Sequence, residues 1–102
     1  LTQRVMIDCS HDNSSKDHDR QAIALNDIAA QVQAGSNHIM GVMIESHLVA
    51  GNQSIPADPA KLVYGQSITD ACVDFPTTTT MLESLAEAIA HREQRIPEEC
   101  RR

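Results

Sequence analysis

Residues 41–53 read GVMIESHLVAGNQ. Apolar and branched side chains run up to a carboxylate, a hydroxyl and an imidazole at Glu45, Ser46 and His47, after which glycine, asparagine and glutamine break the pattern. A strand that is covered on both faces reads as a continuous apolar run, and its carboxyl end is where α/β folds place their chemistry. The pattern therefore predicts a buried strand over residues 38–45 that ends in a functional site, with Glu45 as the leading candidate residue.

The segments before this strand predict a βαβ unit. Residues 4–8 (RVMID) are rich in β-branched side chains and predict a first strand. A helical period follows from Lys16 or Asp17 to about Ala34. Its apolar stripe consists of Ala22, Leu25, Ile28, Ala29 and Val32. Because a strand, helix and parallel strand are connected with a right-handed crossover in nearly all proteins, the two strands should be parallel.

The second half of the chain predicts a long loop and a last helix. Residues 46–67 show neither a helical nor an alternating period, and a loop of about twenty residues in a compact domain usually has a functional role. Thr80 and Glu83 have the spacing of a capping box at a helix start. The apolar stripe of this helix is expected to comprise Leu82, Leu85, Ala86 and Ile89, as far as about Arg92. Residues 96–102 should form a frayed tail, which leaves residues 1–95 as one α/β unit.

The composition argues against several classes of protein. With 102 residues the chain holds one domain at most, and its first residue is Leu1 rather than Met, which suggests a piece of something longer. A net charge of −6 and eight Lys and Arg residues argue against nucleic acid as a partner. No apolar run approaches the ~20 residues of a membrane span, so we expect a cytoplasmic protein without a membrane partner. Three widely spaced cysteines without a C-x-x-C pair predict reduced thiols.

Ionisable residues follow both predicted strands. His11 comes just after the first strand, and Glu45 stands at the end of the second. The carboxyl ends of parallel strands lie on one edge of a sheet, so these two residues should be neighbours. Asp70, in the loop that returns before the last helix, is a third candidate. Histidine, glutamate and aspartate around one point suit Mn²⁺, Fe²⁺, Co²⁺ or Zn²⁺.

Each candidate also has a simpler interpretation. His11 could be a hydrogen-bonding loop residue, and Asp70 could be a turn or N-cap residue. His47 could contact a metal ligand without binding the metal itself, or it could lie only at the surface. Asp8 and Asn13 could orient His11 or could satisfy the backbone of their loop.

Three motifs resemble a known enzyme family. They are IDCSHDNSSK at residues 7–16, GVMIESHLVAGNQS at residues 41–54 and YGQSITDAC at residues 64–72. Together they closely resemble the carboxyl-terminal third of the type I 3-deoxy-D-arabino-heptulosonate 7-phosphate (DAHP) synthases, and the resemblance is collinear from about Arg4 to Arg92. It implies a (β/α)₈ TIM barrel, in which residues 1–95 form the carboxyl-terminal portion with the last two parallel strands and their helices.

The resemblance also implies a function. Family members are transferases that condense phosphoenolpyruvate with erythrose 4-phosphate and release phosphate, the first step of the shikimate pathway to the aromatic amino acids. They use one divalent metal. The matched motifs imply metal ligands at His11, Glu45 and Asp70, with His11 also against phosphoenolpyruvate as a catalytic residue.

The resemblance implies that part of the family's site lies outside this chain. The family's fourth ligand, a cysteine, and the Arg and Lys residues that hold both substrate phosphates belong to earlier strands, so we expect the chain alone to be inactive. The alternative is a free-standing small α/β module that binds a metal or a partner without catalysis. Two strands taken from a barrel leave apolar surface uncovered, which predicts a homo-oligomer or a self-associating chain.

Overall fold

The parallel strand pair forms the centre of the fold. The computed structural model describes residues 3–11 and 17–95. In chain order the elements are β1 (Val5–Asp8), α1 (Gln21–Gln33), β2 (Ile39–Met43) and α2 (Phe75–Arg95), with 3-10 turns at His18–Arg20 and Pro59–Lys61. β1 and β2 pair in parallel, with Met6 opposite Gly41 and Asp8 opposite Met43. The predicted α/β class and the parallel order of the two strands are confirmed.

The core lies between the strand pair and the two helices, which pack against each other. Its buried apolar residues are Cys9, Leu25, Ile28, Ala29, Val32, Val73, Met81 and Ala88. Side chains of both strands, among them Ile7 and Val42, are partly buried against this cluster. The predicted stripe of α1 is therefore correct from Leu25 to Val32, and Ala22 is half-buried at its edge. None of these buried apolar residues is aromatic.

α1 begins at Gln21 rather than at Lys16 or Asp17. Asp17 instead opens a 3-10 turn, and its carboxylate accepts a hydrogen bond from the Asp19 N–H at 3.0 Å. A tight turn directly before an α-helix continues the apparent helical period of the sequence, and so the predicted start was too early.

β2 ends at Met43, so Glu45 lies beyond the strand and not at its tip as predicted. The Glu45 N–H donates to the side-chain Oε1 of Gln21 at 3.0 Å, and the Glu45 C=O accepts from the Val73 N–H at 3.0 Å. The backbone of Glu45 therefore forms hydrogen bonds with Gln21 and Val73 instead of with β1. The strand therefore stops earlier than the apolar run predicts.

α2 begins at Phe75, before the predicted capping box. The Asp74 carboxylate accepts from the Thr77 N–H at 2.9 Å, which is the contact typical of an N-cap residue. Thr80 lies inside the helix, where its hydroxyl donates to the Pro76 C=O at 3.2 Å. The predicted helix start at Thr80 is therefore wrong. Proline in the first turn of a helix is well tolerated, and an acidic residue shortly before it marks the observed start.

The buried face of α2 also differs from the predicted stripe. Met81 and Ala88 are each 3% exposed, whereas Leu82 and Ile89 are 50% and 39% exposed. Leu85 belongs to the predicted stripe and does lie against the core. α2 carries apolar residues on two sides, and the described residues cover one of them.

The 46–67 loop is tied to the segment that precedes α2. Gly51 and Cys72 exchange backbone hydrogen bonds of 2.8 and 3.1 Å, and the Gln53 N–H donates to the Ser67 C=O at 2.8 Å. The Gln53 amide also donates to the Val63 C=O and accepts from the Val63 N–H, at 2.8 and 3.0 Å. The loop therefore follows a defined path back to the carboxyl edge of the sheet.

Two parallel strands do not close a barrel, so the described residues establish the α/β class and not the (β/α)₈ architecture. Asn13 and the tail predicted for residues 96–102 lie outside the described residues. Of the helices in the described ranges, neither is long and apolar enough to pass through a lipid bilayer.

Replacing Leu25 with alanine should destabilise the fold by about 2–5 kcal/mol, because Leu25 is fully buried and its loss leaves a cavity. Ile23→Ala on the same helix is the control, since Ile23 is 60% exposed and its truncation should change stability by about 0.5 kcal/mol or less. Urea unfolding followed by circular dichroism measures both. Equal losses of stability would contradict this assignment of the inner face of α1.

Candidate metal centre

Three predicted site residues meet at the carboxyl edge of the sheet. The Nε2 atom of His11 lies 3.0 Å from Oε1 of Glu45 and 3.2 Å from Oδ2 of Asp70. One ligand atom of each residue lies within 4.8 Å of the others. They border a cavity of about 290 Å³ that is lined by Ser10, His11, His18, Gln21, Glu45, Asn52, Asp70 and Ala71. The structure thus brings together the three residues proposed as metal ligands.

His11 is held by the end of β1. Its backbone has φ +51°, a left-handed conformation that is uncommon for residues other than glycine and in which histidine is enriched. Oδ2 of Asp8 lies 2.8 Å from the His11 Nδ1, and Oδ1 of Asp8 accepts from the N–H of Ser10 at 2.8 Å and from its hydroxyl. Asp8 therefore contacts both the ring of His11 and the backbone of the turn, so both alternatives considered for it from the sequence occur together.

Glu45 is held by α1. The buried side-chain amide of Gln21 donates from Nε2 to the Glu45 C=O at 3.1 Å and accepts from the Glu45 N–H at 3.0 Å. The Glu45 side chain is 19% exposed, and it turns toward His11. The peptide that carries this carboxylate is thus fixed from behind by a helix.

Asp70 is held by the long loop. The residue before it, Thr69, accepts a hydrogen bond on its C=O from the Asn52 amide at 2.9 Å. Two residues after it, Cys72 pairs with Gly51 through the backbone. The Asp70 side chain remains 65% exposed. Each of the three candidate ligands is therefore positioned by a different segment of the chain.

The other predicted residues have different positions. His47 is exposed, and its Nδ1 accepts from the Leu48 N–H at 2.8 Å. The described contacts of His47 thus do not join it to the three ligands. The Cys72 thiol donates to the Asp70 C=O at 3.5 Å, and burial raises the pKa of Cys72, which favours the neutral thiol.

The sequence pattern does not single out Gln21, His18 or Asn52, which also line the cavity. Gln21 has a signal that could have found it, because it lies four residues before Leu25 on the buried stripe of α1. A polar residue on such a stripe needs a buried partner. The side chain of His18 is 23% exposed and lies beside the cavity.

A second group of potential ligands lies in the 3-10 turn and consists of Asp17, His18 and Asp19. Its carboxylates are exposed, and the Asp17 carboxylate is engaged by the Asp19 N–H. The Nε2 atom of His18 lies 3.2 Å from Oδ1 of Asp19.

The charges of the first group alter its protonation. The hydrogen bond to Asp8 raises the pKa of His11, and the contact with Asp70 and the negative charge of Glu45 raise it further. Burial raises the pKa of Glu45, although the neighbouring His11 opposes this effect. The hydroxyl of Ser10 lowers the pKa of Asp8 by hydrogen bonding to its carboxylate. The cluster therefore favours a positive charge between its two carboxylates.

The donor set fits a divalent cation. When Nδ1–H of His11 is donated to Asp8, Nε2 presents a lone pair toward the oxygens of Glu45 and Asp70. Three electron-rich atoms at such distances repel one another unless a proton or a cation lies between them. Neighbouring ligands around one metal lie about 3 Å apart when each bond is about 2.1 Å, which matches the distances from Nε2.

Asp8→Asn should lower the pKa of His11 in the protein stripped of metal, because the largest cause of its raised value is lost. The titration of the His11 ring protons by NMR measures this change. Asp27→Asn on α1 removes the same charge from a carboxylate outside the cluster, which accepts from the Gln31 side chain, and should leave the His11 titration unchanged. A His11 pKa that is the same in Asp8→Asn and in the parent protein would contradict the assigned contact.

The pKa values of His11 and Glu45 predict how stability depends on pH. Both are raised in the folded chain, so the folded state binds protons more tightly than the unfolded state. This stabilisation is complete below the unfolded pKa values and is lost as pH rises through the raised folded values. Thermal unfolding in chelator between about pH 5 and 8 should show it. Stability that rises steadily over this range would contradict the assigned shifts.

Comparison with known proteins identifies relatives of the chain. Residues 1–83 match the sequence profile of the DAHP synthetase I family. The chain is 50% identical over 93 residues to a phospho-2-dehydro-3-deoxyheptonate aldolase of Alternaria alternata, with 90% of this chain and 25% of the relative covered. It is 47% identical over 92 residues to the Phe-sensitive phospho-2-dehydro-3-deoxyheptonate aldolase of Escherichia coli K12, with 90% of this chain and 26% of the relative covered.

A solved structure agrees with these matches. The phospho-2-dehydro-3-deoxyheptonate aldolase of Francisella tularensis SCHU S4 superposes with a TM-score of 0.81 and 61% identity, with 87% of this chain and 25% of that chain covered. The chain thus spans about a quarter of the length of the relatives it matches. These shares of length support a partial match to the family. They do not support the carboxyl-terminal placement expected from the sequence.

Proposed function

The chain belongs to the DAHP synthetase I family, and we propose that it carries the metal-holding part of a DAHP synthase. This transferase condenses phosphoenolpyruvate with erythrose 4-phosphate and releases phosphate at the start of aromatic amino acid biosynthesis. Relatives named as phospho-2-dehydro-3-deoxyheptonate aldolases support this reaction. We place the reaction in the shikimate pathway and in the cytoplasm.

The observation that carries the proposal is the convergence of His11, Glu45 and Asp70 around one point. These residues come from the end of β1, from just beyond β2 and from the returning loop. In barrel enzymes the carboxyl edge of the strands is where catalytic residues gather. The parallel pair and its site at that edge support a (β/α)₈ barrel for the whole protein.

His11, Glu45 and Asp70 would hold a divalent cation, for which Mn²⁺, Fe²⁺, Co²⁺ and Zn²⁺ are the candidates that suit this donor set. A bound cation supplies Lewis acidity toward a carbonyl oxygen and acidifies a bound water. Asp8 keeps the His11 ring in the tautomer whose Nε2 can act as a ligand. The two carboxylates reduce the net positive charge of the site. His11 also borders the cavity, where it would lie against phosphoenolpyruvate.

The cavity that the described residues line has no Lys or Arg side chain that could bind a phosphate group. Its lining comprises neutral, imidazole and carboxylate side chains and includes neither Lys nor Arg. Two substrates that each bear a phosphate need cationic partners, which Arg and Lys supply best. We therefore propose that other parts of the whole enzyme bind the phosphates, and that this chain alone is inactive.

The uncovered side of the strand pair points to the same conclusion. Met6 and Met40 are 62% and 66% exposed, and Val5 is 52% exposed. Apolar side chains on a short sheet with open edges need further protein to cover them. In the proposal the remaining strands of the barrel cover this surface, and without them the chain would associate with itself.

An activity assay separates the proposal from a free-standing binding module. With phosphoenolpyruvate, erythrose 4-phosphate and Mn²⁺, the full-length enzyme should release phosphate, while the 102-residue chain alone should release none. Activity of the short chain would contradict the claim that the phosphate-binding groups lie elsewhere. An inactive full-length protein would contradict the proposed reaction.

Glu45→Gln in the full-length enzyme should strongly weaken Mn²⁺ binding. The loss should exceed the roughly 10–100-fold that is typical when a residue that hydrogen-bonds to a metal ligand is replaced. Glutamine keeps the size of the side chain and removes its charge, and isothermal titration calorimetry measures the change. Glu87→Gln is the matched control, because Glu87 is an exposed residue of α2 whose neighbour is His91. If Glu45→Gln binds Mn²⁺ as the parent enzyme does, the proposed ligand set is wrong.

A further inference from the structure

Gln21 is a polar residue in the core of the protein. Its side chain is 0% exposed, and it is the first residue of α1, on the same stripe as Leu25. A buried amide costs free energy unless its hydrogen bonds are made. Both the nitrogen and the oxygen of this amide form hydrogen bonds, and both partners are backbone groups of one residue.

That residue is Glu45. Nε2 of Gln21 donates to the Glu45 C=O at 3.1 Å, and Oε1 of Gln21 accepts from the Glu45 N–H at 3.0 Å. An amide that exchanges two hydrogen bonds with one residue does what a neighbouring strand does in a sheet. The last pair of the β1–β2 ladder is Asp8 with Met43, so Gln21 takes over where the sheet stops pairing.

The paired backbone fixes the point from which the Glu45 side chain starts. When the N–H and the C=O of one residue are both fixed, its Cα–Cβ bond is fixed as well, and from this fixed base the Glu45 carboxylate lies 3.0 Å from Nε2 of His11. The Val73 N–H shares the Glu45 C=O at 3.0 Å, but the Glu45 N–H has the Gln21 oxygen as its partner. A ligand that is held in its working geometry before the cation arrives loses less freedom on binding.

We infer that Gln21 is a positioning residue that sets the affinity of the site for its cation by fixing the backbone of Glu45. The inference rests on the proposed metal-holding function of His11, Glu45 and Asp70. Gln21 acts through Glu45. It also links the core to the site, because α1 covers the sheet with Leu25 and reaches Glu45 with Gln21.

Gln53 offers a matched comparison within the chain. Its side-chain amide also exchanges two hydrogen bonds with one backbone, that of Val63, at 2.8 and 3.0 Å. It also donates to the Gln66 C=O at 3.0 Å and is half-buried, so it makes the same kind of backbone contact as Gln21 but holds the long loop. If the effect of Gln21 comes only from an amide that is paired with backbone, substitution of either glutamine should have the same consequences.

The test compares Gln21→Met and Gln53→Met in the full-length enzyme, since methionine keeps the length of glutamine and removes both hydrogen bonds. Mn²⁺ affinity is measured by calorimetry, the coordination of bound Mn²⁺ by EPR, and stability by urea unfolding in chelator. Gln21→Met should weaken Mn²⁺ binding by about 10–100-fold and change the EPR spectrum. Gln53→Met should lower stability and leave both metal readouts unchanged.

Two results would overturn the inference. One is a Gln21→Met enzyme with parental Mn²⁺ affinity and EPR spectrum, and the other is an equal loss of affinity in both variants. If Gln21→Met does not fold, Gln21→Asn replaces it, because asparagine keeps the amide but ends one methylene short of Glu45. The same loss of affinity is then expected, and parental affinity overturns the inference.

Glu45→Gln separates this inference from the proposed function. If Glu45→Gln loses Mn²⁺ binding while Gln21→Met retains it, only the role of Gln21 fails. If Glu45→Gln binds Mn²⁺ normally, the proposed ligand set itself fails.

Discussion

Two carboxylates and an imidazole are held about a hydrogen-bond length apart at the edge of this sheet, with the Nε2 atom of His11 facing oxygens of both Glu45 and Asp70. Like charges at such distances repel. The hydrogen bond to Asp8 and the neighbouring Asp70 and Glu45 raise the pKa of His11, and burial raises the pKa of Glu45. The arrangement is stable only with positive charge at its centre. A proton can supply that charge when no metal is bound, and a divalent cation can supply more of it.

The fold holds the cluster together by supporting each member from a separate direction. Asp8 holds the His11 ring, Gln21 holds the Glu45 backbone, and the pairing of Gly51 with Cys72 holds the segment around Asp70. The parallel register of β1 and β2 brings His11 and Glu45, which follow these two strands, to the same edge. α1 both completes the core and reaches the site, so the stability of the fold and the geometry of the site depend on the same helix.

The sequence predicts those parts of the structure that follow from simple patterns. The stripe from Leu25 to Val32 predicts the inner face of α1. Apolar residues at helical spacing lie on one face of a helix, and they are buried only when that face packs against the core. The convergence of His11 and Glu45 follows from parallel strands, since such strands end at one edge. The returning loop makes Asp70 a third candidate that could also be a turn residue, and the motif resemblance implies the metal ligand.

Other features depend on particular hydrogen bonds, which the apolar pattern of the sequence does not contain. β2 stops before Glu45 because the side chain of Gln21, on α1, forms hydrogen bonds with the N–H and the C=O of Glu45. α2 starts at Phe75 because Asp74 caps it, and the choice between its two apolar sides depends on what the rest of the chain covers. The left-handed backbone of His11 is likewise fixed by Asp8 and the turn around it, and not by the identity of His11 alone.

Relatives that share about half of this sequence over nine-tenths of its length place it in the DAHP synthetase I family, and the metal centre is the central claim about its role. Anomalous diffraction from Mn²⁺-loaded crystals of the full-length enzyme tests that claim most directly. A manganese peak within bonding distance of Nε2 of His11 and of carboxylate oxygens of Glu45 and Asp70 is the predicted result. A peak at Asp17, His18 and Asp19 instead, or none beside His11, would contradict it.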